Sequence, residues 1–293
     1  MYQKHRYMLR YLTSLLLFGF NGVVASHIAL SSAHIVLLRT ILGSMSLLAF
    51  FFLTGHRFSF AGRKKDVTLI LLSGILMGVS WMMLFAGYQL IGVSTTTLLY
   101  YCCPVLVMAV SPLFFKEKLT WVKITGFVCV FGGIVLVNGW SGGNMNTAGF
   151  LCGIMSAVCY AAMLILNKKA QSVDGLENTV LQMLSAMVTV FVVLLCQGRV
   201  SMTILPGDWP WILLLGFVNT GFACWCYFSA IGALPVQTVA VCSYLDPLSA
   251  VIFSALLLHE RLTPLQLVGA VLILGGALFA ECFHPKREKS KAV

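Results

Sequence analysis

Charge is what this chain has least of. Charged residues make up 10% of its 293 residues, and only nine are acidic, against roughly 25% charged in an ordinary soluble domain. No long polar or proline-rich stretch separates one part from another, so the sequence shows no linker and no soluble domain. The ten cysteines form no CxxC pair, and most sit within apolar runs, where a thiol behaves as a small hydrophobe. Neither a metal site nor a disulfide framework is implied. There is no HExxH, no GxSxG and no pair of acids inside one apolar run, which argues against an intramembrane enzyme. A nucleotide-binding loop is also missing, and no cofactor is expected. No ring of charges or filter-like loop points to a channel.

What the chain does have is apolar length. Hydrophobic residues are 59% of it, and the mean hydropathy is +0.94. Crossing a hydrocarbon core takes about 20 apolar residues per helix. Apolar length and breaker positions give ten such stretches, at residues 7–27, 33–54, 67–90, 94–115, 120–139, 148–167, 177–197, 209–231, 235–258 and 263–282. The expected fold is an all-α membrane protein with ten transmembrane helices. With both termini placed in the cytoplasm, only Arg39, Arg199 and Arg261 among the 19 lysines and arginines fall on the outer side. That asymmetry satisfies the positive-inside rule for all ten helices at once. The net charge of +10 is thereby explained by basic loops facing anionic lipid heads, and no nucleic acid partner is implied.

The sequence also repeats itself. Shifted by 143 positions without a gap, Tyr101 meets Tyr244, Pro104 meets Pro247, and Ser111 meets Ser254. Glu117-Lys118-Leu119-Thr120 meets Glu260-Arg261-Leu262-Thr263, and Gly126 with Gly132-Gly133 meets Gly269 with Gly275-Gly276. Five spans per copy give the copies opposite orientations. The expected domains are a first five-helix repeat at 1–143, an inverted second repeat at 144–285, and a basic cytoplasmic tail at 286–293. Inverted repeats of this kind mark alternating-access transporters, with the substrate between the repeats near the midplane.

Within the repeats, Pro104 and Pro247 each remove a backbone donor near mid-span. A break there must pack on protein or line a cavity, so both are candidate helix kinks. Glu117 and Glu260 read as turn and cap residues, with Thr263, Pro264 and Gln266 forming a capping box. The glycine pairs read as close-packing helices, either a scaffold pair or a dimer face; monomer and homodimer both remain open.

Asp246 is the only acid placed mid-span, where a carboxylate costs about 2.5–3.5 kcal/mol and should face protein or water. Three roles are open to it: a proton carrier that couples proton flow to transport, a counter-ion to a cationic substrate, or a structural partner for backbone freed by Pro247. Helical spacing assembles a polar and aromatic lining around it, from which Asn21, Trp81, Tyr88, Tyr100, Tyr160, Gln182, Trp225 and Tyr244 are the candidate substrate-binding residues. An aromatic cavity with one carboxylate suits an amine through cation–π contact. Arg39 could hold a substrate carboxylate, make a gate contact, or snorkel outward. His27 and His34 read as surface residues.

Together these pieces resemble the drug/metabolite transporter superfamily in its ten-helix EamA family. The stretch Leu17-Phe18-Gly19-Phe20-Asn21-Gly22-Val23 is similar to the family's first-helix pattern, with Phe18 where a tryptophan is usual. Arg39 stands at the family's early arginine of helix 2, Gly87-Tyr88-Gln89-Leu90-Ile91 resembles its helix 3 ending, and Tyr160-Ala161 stands where Trp-Ala is common in helix 6. The run of proline, Glu-Lys/Arg-Leu-Thr and paired glycines, present in both copies, is the most specific part. The resemblance implies two inverted halves around a central cavity and export or exchange of small metabolites in a bacterial plasma membrane. The expected partners are a small-molecule substrate, membrane lipids and, in one role of Asp246, a proton. The leading expectation is a secondary transporter of amino acids or related polar compounds. A quaternary-amine or cationic-drug carrier is the alternative, and a channel or lipid scramblase is the alternative outside transporters.

Overall fold

A computed structural model describes residues 2–58, 62–103, 106–107, 109–110, 121–138, 146–170, 172–173, 175–231, 234 and 242–282. The described residues form helices and no strands. α1 (Tyr2–Gly19) and α2 (Asn21–Ser26) form one span interrupted at Phe20. α3 (Ser32–Leu53), α4 (Lys64–Ile91), α5 (Val93–Tyr100), α6 (Trp121–Asn138), α7 (Thr147–Lys169) and α8 (Gly175–Cys196) follow. Then come α9 (Trp209–Leu213), a π-helical segment (Leu214–Phe222), α10 (Ala223–Ile231), α11 (Leu245–Leu257) and α12 (Pro264–Cys282). Six of these runs are long and apolar enough to cross a membrane, and they coincide with expected spans one, two, three, six, seven and eight. Shorter helices α5, α6, α11 and α12 stand where the other four are expected. The chain is a multi-pass membrane protein.

The helix ends follow local sequence. Ser31 caps α3 and Asn146 caps α7, each accepting a backbone N–H three residues on. Thr263 and Gln266 form the expected box, Thr263 N donating to Gln266 Oε1 at 2.9 Å and Gln266 N to Thr263 Oγ1 at 3.3 Å; Pro264 opens α12, where a missing N–H costs nothing. Polar contacts also join helix ends. Arg63 pairs with Glu177 at 3.1 Å, Asp66 Oδ2 accepts from Ser172 N at 2.8 Å, and Asp208 Oδ2 accepts from Ala29 N at 3.3 Å.

Between helices, packing is close because lipid offers no hydrophobic drive for association and small residues must supply contact. α4 lies mainly on α7 and α8, α3 on α8 and the π segment, and α6 on α12. At the last crossing a Cβ on Gly133 would stand 2.7 Å from Gly269 O, and one on Gly276 3.2 Å from Gly126 O. The repeated glycines therefore form a scaffold pair within the chain. Gly132 and Gly275 face open space. Large apolar side chains such as Val128, Phe131, Leu151, Leu195, Leu256 and Val271 are exposed, as expected of helices whose outer faces meet hydrocarbon.

The helical pattern breaks at Tyr101–Cys102 and again at Tyr244, positions that the repeat superposes. Pro247 is buried in the first turn of α11, three residues past its break, where the ring obstructs no hydrogen bond. Pro104, Glu117 and the basic tail 286–293 lie outside the described residues.

Candidate functional site

The break before α11 places Asp246 in that helix's first turn, with Tyr244 just ahead of it. An anion there is favoured by the free N–H groups and the positive end of the helix dipole. α1 makes the turn possible by coming very close. A Cβ on Gly19 would stand 2.8 Å from Asp246 O and 3.0 Å from Ala250 N, so the Phe18-Gly19-Phe20 stretch reads as the surface that receives this turn. From the first half of the chain, Tyr101 donates its hydroxyl to Asp246 Oδ2. Tyr101 lies edge-on to Tyr100 (5.5 Å, 87°), and Tyr100 stacks on Tyr160 (4.7 Å, 17°). Asp246 and these three tyrosines are half-buried although they lie inside the bundle. The result is a carboxylate and a row of aromatic rings that bridges α5, α7 and α11.

A second charged group lies on α3. Arg39 is 3% exposed, so it does not snorkel. Its guanidinium lies 4.2 Å from the Trp81 ring centre and 5.1 Å from that of Phe85. Its Nε donates to Thr220 Oγ1 at 3.3 Å. Thr220 belongs to the π segment and in turn donates to Leu215 O, five residues back. Tyr88 packs on Phe85, with ring centres 5.2 Å apart. A cavity of about 230 Å³ opens beside it, lined by Ile35, Phe85, Tyr88 and Gln89, with Val93, Leu258 and Glu260 among its other walls.

Glu260 closes a contact across the repeat. It is a cap, as its sequence context suggests, but of α5 rather than of its own helix. Its Oε1 accepts from Val93 N at 2.7 Å and its Oε2 from Ser94 N at 2.8 Å. Ser94 and Ser254 join through their hydroxyls just below.

The other candidate residues separate. Asn21 keeps a buried Oδ1 without a partner, as does Asn219, whose Nδ2 donates to Leu17 O at 3.0 Å. Gln182 donates to Ser73 Oγ at 3.0 Å in the contact of α8 on α4, where Ser185 donates to Leu71 O; that polar stripe holds two helices together. Trp225 stacks on Phe50 (5.4 Å, 14°) with Arg10 4.9 Å above it, a separate group. Tyr244 packs toward Leu98, Val130 and Ile273 in the α5–α6–α12 cluster. His27 is exposed and stacks on Trp211.

Sequence reasoning missed Tyr101 as an Asp246 partner, although its repeat mate Tyr244 was a signal. It missed the π segment, for which only the glycines Gly216 and Gly221 hint at irregular packing, and it missed that Glu260 reaches across the chain.

Comparison with known proteins identifies the family. The sequence pattern of the EamA-like transporter family matches residues 6–139 and 147–281. The chain is 23% identical over 278 residues to Uncharacterized transporter YxxF of Bacillus subtilis (strain 168), covering 94% of this chain and 89% of that one. It is 31% identical over 194 residues to a Probable amino-acid metabolite efflux pump of Escherichia coli (strain K12), covering 61% and 64%. A solved crystal structure superposes with a TM-score of 0.66 at 18% identity, over 94% of this chain and 98% of the other, which shows a shared fold. The chain belongs to the EamA-like transporter family of the drug/metabolite transporter superfamily, and it is a transporter rather than an enzyme.

Proposed function

We propose that this protein is a secondary transporter that exports small polar metabolites, amino acids or related compounds foremost, across the plasma membrane by alternating access. In this reading ten helices form two inverted five-helix halves, both termini are cytoplasmic, and substrate binds between the halves. The observation that carries it is Asp246: a carboxylate on α11, in the second half, is held by Tyr101 of the first half beside the Tyr100–Tyr160 stack. A group shared in this way can be exposed to one side or the other as the halves rock. The similar efflux pump of Escherichia coli supports amino-acid metabolites as cargo.

The test is counterflow in proteoliposomes loaded with unlabelled amino acids, using wild-type protein and Asp246→Asn. Saturable exchange of at least one amino acid is expected. A pH gradient should drive uphill movement in the wild type and fail to do so in Asp246→Asn while exchange persists. Uphill transport retained in Asp246→Asn would remove the proton role, and steady conductance without exchange would point to a channel. A second reading, a carrier of cationic amines, is favoured by the stacked tyrosines beside Asp246, because an alkylammonium is attracted to ring faces. There, binding of cations should fall in Asp246→Asn and binding of neutral ligands should not.

A further inference from the structure

We infer that Arg39 is the anion-binding end of the substrate site and that it receives an organic carboxylate. The inference deepens the transport reading and rests on it for the identity of the site. Arg39 is a buried charge without a counter-ion: among the described residues the one ion pair within 4 Å joins Arg63 and Glu177, and the only hydrogen bond Arg39 makes there is from Nε to Thr220. A guanidinium held in an apolar interior without an anion is costly, which is why buried charges are paired in native proteins. Ring faces offset part of that cost, and Arg39 has two, Trp81 and Phe85.

The two Nη atoms are left unbonded, yet they are not sealed off. The closed and unpartnered side-chain polar atoms among the described residues are Asn21 Oδ1, Ser44 Oγ, Thr97 Oγ1 and Asn219 Oδ1, and no Arg39 atom is among them. The free edge of the guanidinium therefore keeps a small accessible surface although Arg39 as a whole is only 3% exposed. The 230 Å³ cavity lies close to it: Ile35 of its lining is one turn before Arg39 on α3, and the Phe85 ring is shared by the cavity wall and the cation. Arg39 thus lies directly behind the Phe85 wall of that cavity, which also holds Tyr88 and Glu260.

The donor set selects the anion. Nε is committed to Thr220, and the two Nη groups present one planar edge, which matches the two oxygens of a carboxylate. A phosphate fits the same edge with two oxygens but leaves its remaining oxygens against apolar rings without a donor. Trp81 and Phe85, one turn apart on α4, set apolar surface against the guanidinium, so the ligand is an organic acid whose carbon skeleton lies against rings. Such a ligand would be the missing counter-ion. The π segment has a part in this, because its widened turn presents Thr220 to Nε and so fixes the direction of the fork.

The experiment measures binding by purified protein in detergent, through thermal stabilisation and tryptophan fluorescence. The probes are L-amino acids and short aliphatic and aromatic monocarboxylic acids, each beside its primary amide. Sodium chloride and inorganic phosphate serve as plain-anion controls. At least one acid should stabilise the wild type while its amide does not. Arg39→Gln should bind that acid about tenfold or more weakly, since a hydrogen-bonded charge pair is lost. Arg39→Lys, which keeps the charge without the fork, should fall between them and serves as the folded reference. Equal binding of acid and amide, unchanged binding in Arg39→Gln, the same stabilisation by chloride or phosphate, or no binding by any acid would each overturn the inference. The transport reading fails separately, by the absence of counterflow for any solute.

Discussion

Gly92→Ala is the sharpest test of how the two halves meet. Gly92 joins α4 to α5 with φ +85° and ψ 164°, a region that only glycine visits freely; an L side chain there costs about 1–3 kcal/mol. The substitution also adds an atom where Glu260 lies, because a Cβ on Gly92 would stand 2.8 Å from Glu260 Oε1 and 3.2 Å from its Cδ. To relieve that contact the carboxylate must loosen its bonds to Val93 N and Ser94 N, and a hydrogen bond to a charged group is worth about 1.5–3 kcal/mol. Losing one of the two brings the total to about 2.5–6 kcal/mol, in the upper range for a single substitution. At about 2 °C per kcal/mol for a chain of this size, melting should fall by roughly 5–12 °C. A thiol-reactive fluorophore in detergent can follow it, since Cys102, Cys103 and Cys224 are buried and free. Glu260→Ala separates the two causes. In that background only the backbone cost of about 1–3 kcal/mol should remain. Strictly additive losses would refute the Glu260 contact, and a Gly92→Ala melting point within about 1 °C of wild type would refute the whole argument.

Neighbouring glycines should give opposite signs. Gly133→Ala meets backbone of α12 and should cost about 1–3 kcal/mol by overpacking, whereas Gly132→Ala faces open space and should be neutral or stabilising by up to about 1 kcal/mol; a melting comparison of the two variants checks this. His259 has φ +56°, and His259→Gly should raise stability by up to about 1 kcal/mol, read by the same assay; a drop in melting temperature would show that the imidazole has a role of its own. Tyr101→Phe keeps the ring against Tyr100 and removes the donor to Asp246, so it should shift the pH dependence of counterflow while leaving the fold intact, as circular dichroism would show. An unchanged pH profile would mean that the hydroxyl does not act on the carboxylate.

Several features were legible because they depend on local order along the chain. The Thr263–Gln266 box and the opening proline of α12 involve atoms three residues apart, so type and spacing predict them. The long spans follow from the requirement that backbone be satisfied inside the hydrocarbon, which apolar length alone reports. Asp246 stood out because a lone acid within an apolar run is rare. The candidate lining was only partly legible. Helical spacing says which residues share a face but not which neighbour that face meets, so Gln182 reads as lining although, with Ser185, it joins α8 to α4, and Trp225 reads as lining although it stacks on Phe50.

By itself, then, the sequence determined that this chain lives in a membrane, that it repeats, that its family is EamA-like, and that Asp246 is exceptional. Each of these rests on composition, period or local chemistry. Only the tertiary structure decided that Tyr101 holds Asp246, that Glu260 caps a helix 166 residues or more away, and that Arg39 lies against two rings of α4 with its fork unbonded. These depend on which helix packs beside which and on the turn at which each chain breaks. A deviation such as the π segment, whose Gly216 and Gly221 pack closely against Leu42 and Ser46 of α3, leaves no period in the sequence to be read.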